Sequence, residues 1–482
     1  MQAVIKTALG SHTSALSNAL IQRFSEKMHG FGLSAGQPVY VACSGGPDSL
    51  ALALLAGHWA SLEGHPVEIL SVHHGLRPEA GDEIKTAQRQ LQARNLRCQT
   101  LHINPNERLE THGQRQRPAL QEWARAHRYR LLSSAVRQSG GVVLLGHHRE
   151  DQAETIAMRL LKGSGVVGLA GMADERIHHQ VRFLRPLLDE SREQLAKFLA
   201  AEDMIPAEDP SNQDSRFERV RMRRMLSQAP QLSSQLLRLG SACSDLKFSV
   251  ETPLKKWASQ HITTLWPLYL AMPKSAYMAL PTQARHLLLR DLLPPIGGRD
   301  YPPARQAVER LDAAVFAGLN KTLSYVQIRA SSHQLILSAE PSRLSPEPVH
   351  LKAGESCVFD GRWLVSTQLG GVVTRLGSEG YRQLDQTGSF FKQLQHLPYQ
   401  ARLMIPVLHT LDDRLWTPHV NGCSACSVPD TLNKAKNETS LDAAMATQQM
   451  LISPEPDFYL TPLQRRTMML NFDGLDNQTK LG

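Results

Sequence analysis

Between residues 38 and 161 the chain alternates short β-rich runs, VYVAC, VEILSVHH, RCQTLHI and VVLLGHH, with longer segments whose apolar positions recur at helical spacing. Strands that alternate with helices make crossover units, so this pattern predicts an α/β domain built on a parallel sheet. From about residue 230 to 320 the character changes to leucine- and arginine-rich helical stretches such as SSQLLRLGSACSDL and PARQAVERLDAAVFAGL. A separate helical domain is expected there. Past the Pro/Ser-rich AEPSRLSPEPVHLKAGE, short alternating runs return in FDGRWLVSTQ, GGVVTRLG and ARLMIPVLH, with turn residues between them. They predict a small α+β domain. From about residue 427 the chain is polar and without steady periodicity until a helical stretch at TPLQRRTMML. The expected divisions are 1–215, 216–343, 344–426 and a tail at 427–482.

Composition narrows the class. A chain of 482 residues exceeds the size at which one core stops growing, so several domains are the default. With 41% hydrophobic and 20% charged residues it reads as an ordinary soluble protein, and no apolar run is long enough to span a membrane. The first twenty residues carry one lysine and interrupted apolar runs, a poor match to a signal or transit peptide. Six scattered cysteines do not suggest a disulfide framework, and a reducing cytoplasm is expected. The formal charge of +8 with only 6% aromatics suits a partner rich in phosphate.

The chemistry concentrates where the first β-rich run ends. Directly after Val39-Tyr40-Val41-Ala42-Cys43 comes Ser44-Gly45-Gly46-Pro47-Asp48-Ser49, followed by the helical run LALALLAGHWA. A strand, a glycine turn and a helix start make an anion site, because glycines admit a phosphate close to the backbone and the first-turn amides and peptide dipoles point at it. Ser44 and Ser49 add hydroxyl donors, Pro47 suits the first helical turn, and Asp48 can hold a magnesium ion on phosphate oxygens. No Gly-Lys-Ser/Thr follows, so transfer of a terminal phosphate is disfavoured and pyrophosphate is the expected leaving group.

A second constellation lies at His147, Asp151 and Glu154, spaced i, i+4 and i+7. The spacing puts them on one helical face at the carboxyl end of a strand, where open parallel sheets bind ligands. Two carboxylates and an imidazole there suit an ammonium group and a metal-bound phosphate. Farther on, Arg216, Arg219, Arg221, Arg223 and Arg224 crowd one short segment, a density that repels itself unless phosphate or acid faces it.

The string Ser44–Ser49 resembles the SGGxDS signature of the PP-loop pyrophosphatases, which activate a carbonyl oxygen with AMP and release pyrophosphate. Further strings, in order over most of the first 225 residues, resemble the tRNA(Ile)-lysidine synthetase family. They are Val72-His73-His74-Gly75-Leu76-Arg77-Pro78, the helix around Arg125, Arg128 and Tyr129, Gly146 through Thr155, Lys162-Gly163-Ser164-Gly165, Gly168 through Met172, and Glu208-Asp209-Pro210-Ser211-Asn212. Residues 397–420 resemble the family's final domain.

The resemblance implies an adenine nucleotide alpha hydrolase-like fold and an ATP- and Mg2+-dependent ligase. Such an enzyme adenylates the wobble cytidine of the CAU-anticodon tRNA(Ile), and free L-lysine then displaces AMP to form lysidine. By the same resemblance Ser44–Ser49 bind ATP, Asp48, Asp151 and Glu154 are catalytic, and Arg125, His147, Asp151 and Glu154 bind substrate. The helical and carboxyl-terminal domains would grip the tRNA. A tRNA sulfur transferase, a small-molecule amidating synthetase and a non-catalytic RNA-binding module are the alternatives; a homodimer is left open.

The sequence departs from the family at His73 (usually Asp or Asn), Glu150 (usually Asp) and Val220 (commonly Asn). Valine cannot hydrogen-bond, so no polar contact is expected from position 220. The doublets His73-His74, His147-His148 and His178-His179 are not chelates, since adjacent residues point apart. Cys423 and Cys426 have knuckle spacing without a second pair, and a free-thiol loop is expected.

Overall fold

The computed structural model describes residues 15–73, 75, 80–103, 117–137, 139–178, 181–207, 218–265, 268–299, 302–340, 346–384, 391, 394–395, 397–410, 415–416, 419–420 and 458–462. The chain divides into two compact units, Met1–Ser249 and Val250–Gly482.

Unit one is the α/β domain that the alternation predicts. Its strands are β1 (Val39–Ala42), β2 (Val67–His73), β3 (Arg97–His102), β4 (Val142–Leu145), β5 (Glu175–His178) and β6 (Val181–Leu184). They form one sheet in the order β3-β2-β1-β4-β6-β5. Every neighbouring pair is parallel except β5 against β6. The helices are α1 (Ala15–Gly30), α2 (Pro47–Glu63), α3 (Ala80–Gln92), α4 (Arg117–Arg137), α5 (Arg149–Leu161), α6 (Val166–Leu169), α7 (Arg192–Ala201), α8 (Glu218–Ser227) and the first part, to Ser249, of α9 (Pro230–His261).

The α2 sequence is apolar on all sides because the helix is covered on all sides. Leu50 to Ala56 are buried between sheet residues Val39, Val41 and Leu144 and the outer helices, which contribute Leu20, Phe24 and Met28 from α1 and Leu195 and Phe198 from α7. On the opposite face α4 packs Tyr129, Leu132 and Val136 against Val143, Leu145, Val181 and Phe183. Near the sheet rim α8 packs Met222 and Leu226 on Ala153, Ile156 and Ala157 of α5. The arginine-rich segment therefore belongs to the compact α/β unit, although the sequence suggested a domain boundary just before it. The apolar pair Met222 and Leu226, one helical turn apart, is what holds it there.

Unit two departs from the expectation of a helical domain over 216–343. Helices Lys274–Ala279, Thr282–Ile296 and Arg305–Phe316 are present. They share the region with an antiparallel sheet of Thr263–Leu265, Tyr269–Pro273, Lys321–Leu323, Val326–Ala330 and Gln334–Ala339. These strands are too short for their alternation to stand out beside the leucine-rich helices. Leu270, Met272, Ile328, Leu335 and Leu337 meet Leu288, Leu289 and Leu292 in its core. Two four-stranded sheets follow from residue 349 onward, most of their strands where the alternating runs suggested them, but Phe458–Pro462 lies in the expected tail and pairs with Trp363–Thr367, so Thr461 and Pro462 are in a strand and not in the expected helix. Among the described residues no helix is long and apolar enough to cross a membrane.

Candidate active site

The sheet order reverses between β1 and β4, since β2 and β3 extend one way and β6 and β5 the other. Loops leaving two such strands go to opposite faces and open a crevice at their carboxyl ends, where α/β sheets bind ligands. Both sequence constellations emerge there. The loop Ser44–Ser49 follows β1, and His147 to Glu154 follow β4.

The β1 loop takes a shape that requires glycine at position 45. Gly45 has φ +87°, and a Cβ there would meet Ala87 Cβ at 3.4 Å. Its carbonyl accepts from the Ala207 amide at 3.0 Å. Gly46 caps α2 and Pro47 opens it. Ser49 Oγ donates to Gly46 O at 2.9 Å and accepts from the Ser44 amide at 3.2 Å, which closes the turn from inside while Ser44 stays exposed. The β4 loop comes just as close, because a Cβ on Gly146 would sit 3.2 Å from the Asp48 carbonyl oxygen.

His148 joins the two loops. The ring is 2% exposed, with Nε2 3.5 Å from Asp48 Oδ2 and 3.6 Å from Asp151 Oδ2, and Nδ1 2.9 Å from Glu150 Oε2. Its backbone amide donates to Asp151 Oδ2 at 3.2 Å. Burial opposes protonation, but hydrogen bonds to Asp48 and Glu150 and the nearby Asp151 charge outweigh it and push the imidazole up to about 10. At neutral pH it is a cation among three acids. Glu150 is itself drawn down, its burial being outweighed by His148 and the Arg192 amide.

Asp151 and Glu154 occupy one face of α5, as their spacing predicts, and both are buried. His147 is not on that helical face. The helix starts at Arg149 with His148 as its cap, so His147 lies in the extended segment before the helix. Its Nδ1 is buried without a partner, and burial together with Arg185, Arg219, Arg125 and Arg128 keeps the ring neutral. Sequence reasoning picked the first histidine of the doublet and set the second aside. Adjacent residues pointing apart was the available signal, because only one of the two can face the β1 loop.

The carboxylates are met by α8. Arg219 Nε donates to Glu154 Oε2 and Arg219 Nη2 to Asp151 Oδ1, each at 2.7 Å. Arg223 Nε donates to Glu154 Oε1 at 2.7 Å. Glu154 is 1% exposed, whereas the two arginine side chains remain about a third exposed. The basic run thus splits by helical face, since Arg221 and Arg224 are exposed. Arg125 is exposed too, its guanidinium carbon 5.4 Å from the Tyr129 ring centre. Arg216, the Glu208–Asn212 string and Cys423 and Cys426 lie outside the described residues.

Among the described residues no group of three histidine, cysteine or acidic side chains could hold a metal by itself. Asp48 Oδ1, however, is buried without a hydrogen-bond partner. One carboxylate oxygen, completed by phosphate oxygens and water, is how magnesium commonly binds.

A strand, a glycine turn and a buried helix start at a sheet switch point define a nucleotide-binding protein of the PP-loop class, and the PP-loop domain family matches residues 16–230. The protein uses ATP, as that class does. It is 33% identical over 333 residues to a tRNA(Ile)-lysidine synthase of Rhodopseudomonas palustris, covering 64% of this chain and 92% of the relative. A tRNA(Ile)-lysidine synthase of Ruegeria pomeroyi is 31% identical over 388 residues, or 78% of this chain and 87% of the relative. One from Methylobacterium nodulans is 35% identical over 65% of this chain and 93% of the relative. The chain belongs to the tRNA(Ile)-lysidine synthase family. Among solved structures, a U34-tRNA thiolase from Methanococcus maripaludis aligns over 48% of this chain and 80% of its own with a TM-score of 0.40 and 14% identity.

Proposed function

We propose that this enzyme ligates free L-lysine to the 2-position of the wobble cytidine of CAU-anticodon tRNA(Ile). The observation that carries this reading is the pairing, across one switch point, of a phosphate loop with a buried two-carboxylate face linked to it by His148. The loop suits the ATP phosphates and the carboxylates suit an amine.

Two bond exchanges are needed. In the first, the base O2 forms a bond to the α-phosphorus of ATP while the bond to pyrophosphate breaks. In the second, the neutral ε-amine of lysine bonds to C2 as the C2–O bond breaks, AMP departs and the amine loses a proton. A pyrimidine carbonyl oxygen is a poor leaving group and its adenylate a good one. The amides of Gly46 and of the first turn of α2 and the exposed Ser44 hydroxyl would hold the phosphates, with Ser49 bracing the turn from inside. Asp48 would hold a magnesium ion, which supplies charge neutralisation to the departing pyrophosphate. Asp151 and Glu154 would receive the lysine ammonium groups, with Arg125 and His147 beside them. Arg216, Arg221 and Arg224 would face the RNA backbone, and a splayed anticodon base suits single-stranded recognition.

The test is to incubate the protein with ATP, labelled lysine and a panel of tRNAs. Label confined to the CAU-anticodon isoleucine tRNA, with AMP and pyrophosphate released in equal amounts, is expected. Modification that proceeds without lysine would overturn the reading in favour of sulfur transfer or amidation.

A further inference from the structure

Two buried polar side chains in unit one, Arg185 and Tyr129, have no role in the account above. At the carboxyl rim of β6, next to β4, Arg185 is only 4% exposed. Its Nη1 donates to Ala173 O at 2.8 Å, and its Nε is buried without a partner. Beside it Tyr129 of α4 is also 4% exposed, and its hydroxyl lies within reach of the Arg185 guanidinium with no other partner. Arg125, Arg128 and Arg176 surround the same phenol and, with Arg185, draw it down against the effect of burial. Among the described residues no carboxylate lies within ion-pair distance of any of these four arginines.

Burying a guanidinium without a counter-charge is costly, and a fold that does so with only a phenol beside it is incomplete without an anion. Three anions take part in the proposed reaction. The ATP phosphates have their own loop after β1, and β1 is separated from β6 by β4, roughly 10 Å at the usual strand spacing. An RNA phosphodiester carries a ribose on either side and suits exposed arginines better than a pair of groups 4% exposed. The remaining anion is the α-carboxylate of the amino acid, small enough to reach a buried subsite on a slender chain.

Resting on the lysine reading above, we infer that Arg185 and Tyr129, with Arg125 at the mouth, form the subsite that recognises the α-carboxylate of free lysine. The sheet then orders the ligands across β1, β4 and β6 as phosphates, amine and carboxylate. A guanidinium takes a carboxylate through two parallel bonds, and the phenol adds a third donor. The subsite also supplies a selectivity the acids alone lack. Asp151 and Glu154 would accept any primary ammonium, whereas a carboxylate subsite rejects simple diamines.

The experiment compares L-lysine with L-lysinamide, which keeps both amines and lacks the carboxylate, as nucleophiles in single-turnover transfer to tRNA. Wild-type enzyme is expected to prefer lysine by about 10- to 100-fold. Arg185→Gln should raise the lysine KM by a similar factor with a smaller change in kcat, and should leave lysinamide nearly unaffected. Arg185→Lys should restore part of the preference. Tyr129→Phe, which keeps the ring packing on Phe183, should lower it several-fold even if Arg185→Gln fails to fold. A preference for lysine that stays at the wild-type level in both Arg185→Gln and Tyr129→Phe would overturn the inference. So would variants whose loss appears in tRNA affinity and its salt dependence, because that would make the cluster a phosphate contact. A wild-type enzyme that transfers lysine and lysinamide equally overturns the subsite alone, and one that transfers neither overturns the underlying reading with it.

Discussion

Glu154 in unit one and Asp312 in unit two are both carboxylates buried among cations, and they are finished differently. Asp312 accepts from Tyr277 Oη at 2.7 Å, from Arg285 Nε and Nη2 at 3.0 and 2.9 Å, and lies 3.1 Å from His286 Nε2. The side chains of Arg285 and Asp312 are 9% and 5% exposed, and Arg285 is further tied to Leu280 O and stacked 4.3 Å over Phe316. Only His286 in that network reaches water, at 22% exposure. Around Glu154 the carboxylate is just as deep, but Arg219 and Arg223 are about a third exposed, and neighbouring polar atoms such as Asp48 Oδ1 and His147 Nδ1 are buried without partners. A satisfied polar network defines a core, and an unsatisfied one at a sheet rim is set up for a ligand.

The largest effect should come from the unsatisfied side. Asp48→Asn is expected to lower AMP formation by about 100-fold or more, since losing a metal ligand removes several kcal/mol of charge stabilisation. Affinity for tRNA should change little because one charge is a small part of a basic surface. Pyrophosphate release and filter binding, measured side by side, check both halves. Unchanged turnover would take the loop out of the active site.

The paired substitution Glu154→Gln and Asp312→Asn then tests the contrast directly. Asp312→Asn leaves a buried guanidinium short of its counter-charge and should cost about 3–5 kcal/mol of stability. Lysine transfer at a temperature where the variant is folded should be unchanged. Glu154→Gln should cost less stability, about 1–3 kcal/mol, because water can reach its arginines, and should slow transfer steeply. Thermal melting and single-turnover transfer on both variants decide it. Equal loss of transfer in the two would erase the distinction.

Much of unit one was legible from the chain. The β-rich runs, the glycine turn and the i, i+3 relation of Asp151 and Glu154 depend on local backbone geometry, which sequence encodes directly. What was hidden depends on contacts between distant segments. Nothing local says that Arg219 and Arg223 turn inward to α5 while Arg221 and Arg224 turn out. That follows from Met222 and Leu226 docking on Ala153 and Ile156. Likewise, which histidine of the doublet faces Asp48 is set by where α5 begins, and Arg185 shows no motif at all. In unit two the strands were lost because they are short and lie among helices with a stronger periodic signal.

Acid should expose the closed network. Burial tends to raise the Asp312 carboxyl, but Arg285, Tyr277 and His286 outweigh it, so it titrates below its ordinary value. A carboxylate depressed in the folded state stabilises the protein above its unfolded value of about 3.9, and that contribution is lost as pH falls through the lower folded value. Melting of the wild type should therefore drop below about pH 4. Asp312→Asn, already without that contribution, should show a flatter acid limb over the same range.

The smallest effect separates the two faces of α8. If Arg221 and Arg224 contact RNA phosphate, replacing both with glutamine should reduce the magnitude of the salt slope of tRNA binding by roughly 0.7–0.9 per lost contact. Lysine transfer at saturating tRNA should be kept. Replacing Arg219 and Arg223 should do the reverse, because their charge is already spent on Asp151 and Glu154. Freeing those carboxylates is expected to change the lysine KM and melting while leaving the salt slope nearly as it was. Both slopes come from binding titrations between 50 and 200 mM salt, a range over which each contact is resolved. Equal slope changes for the inward and outward pairs would mean that α8 swings off α5 when RNA binds, and the carboxylates would then be open only in the RNA complex.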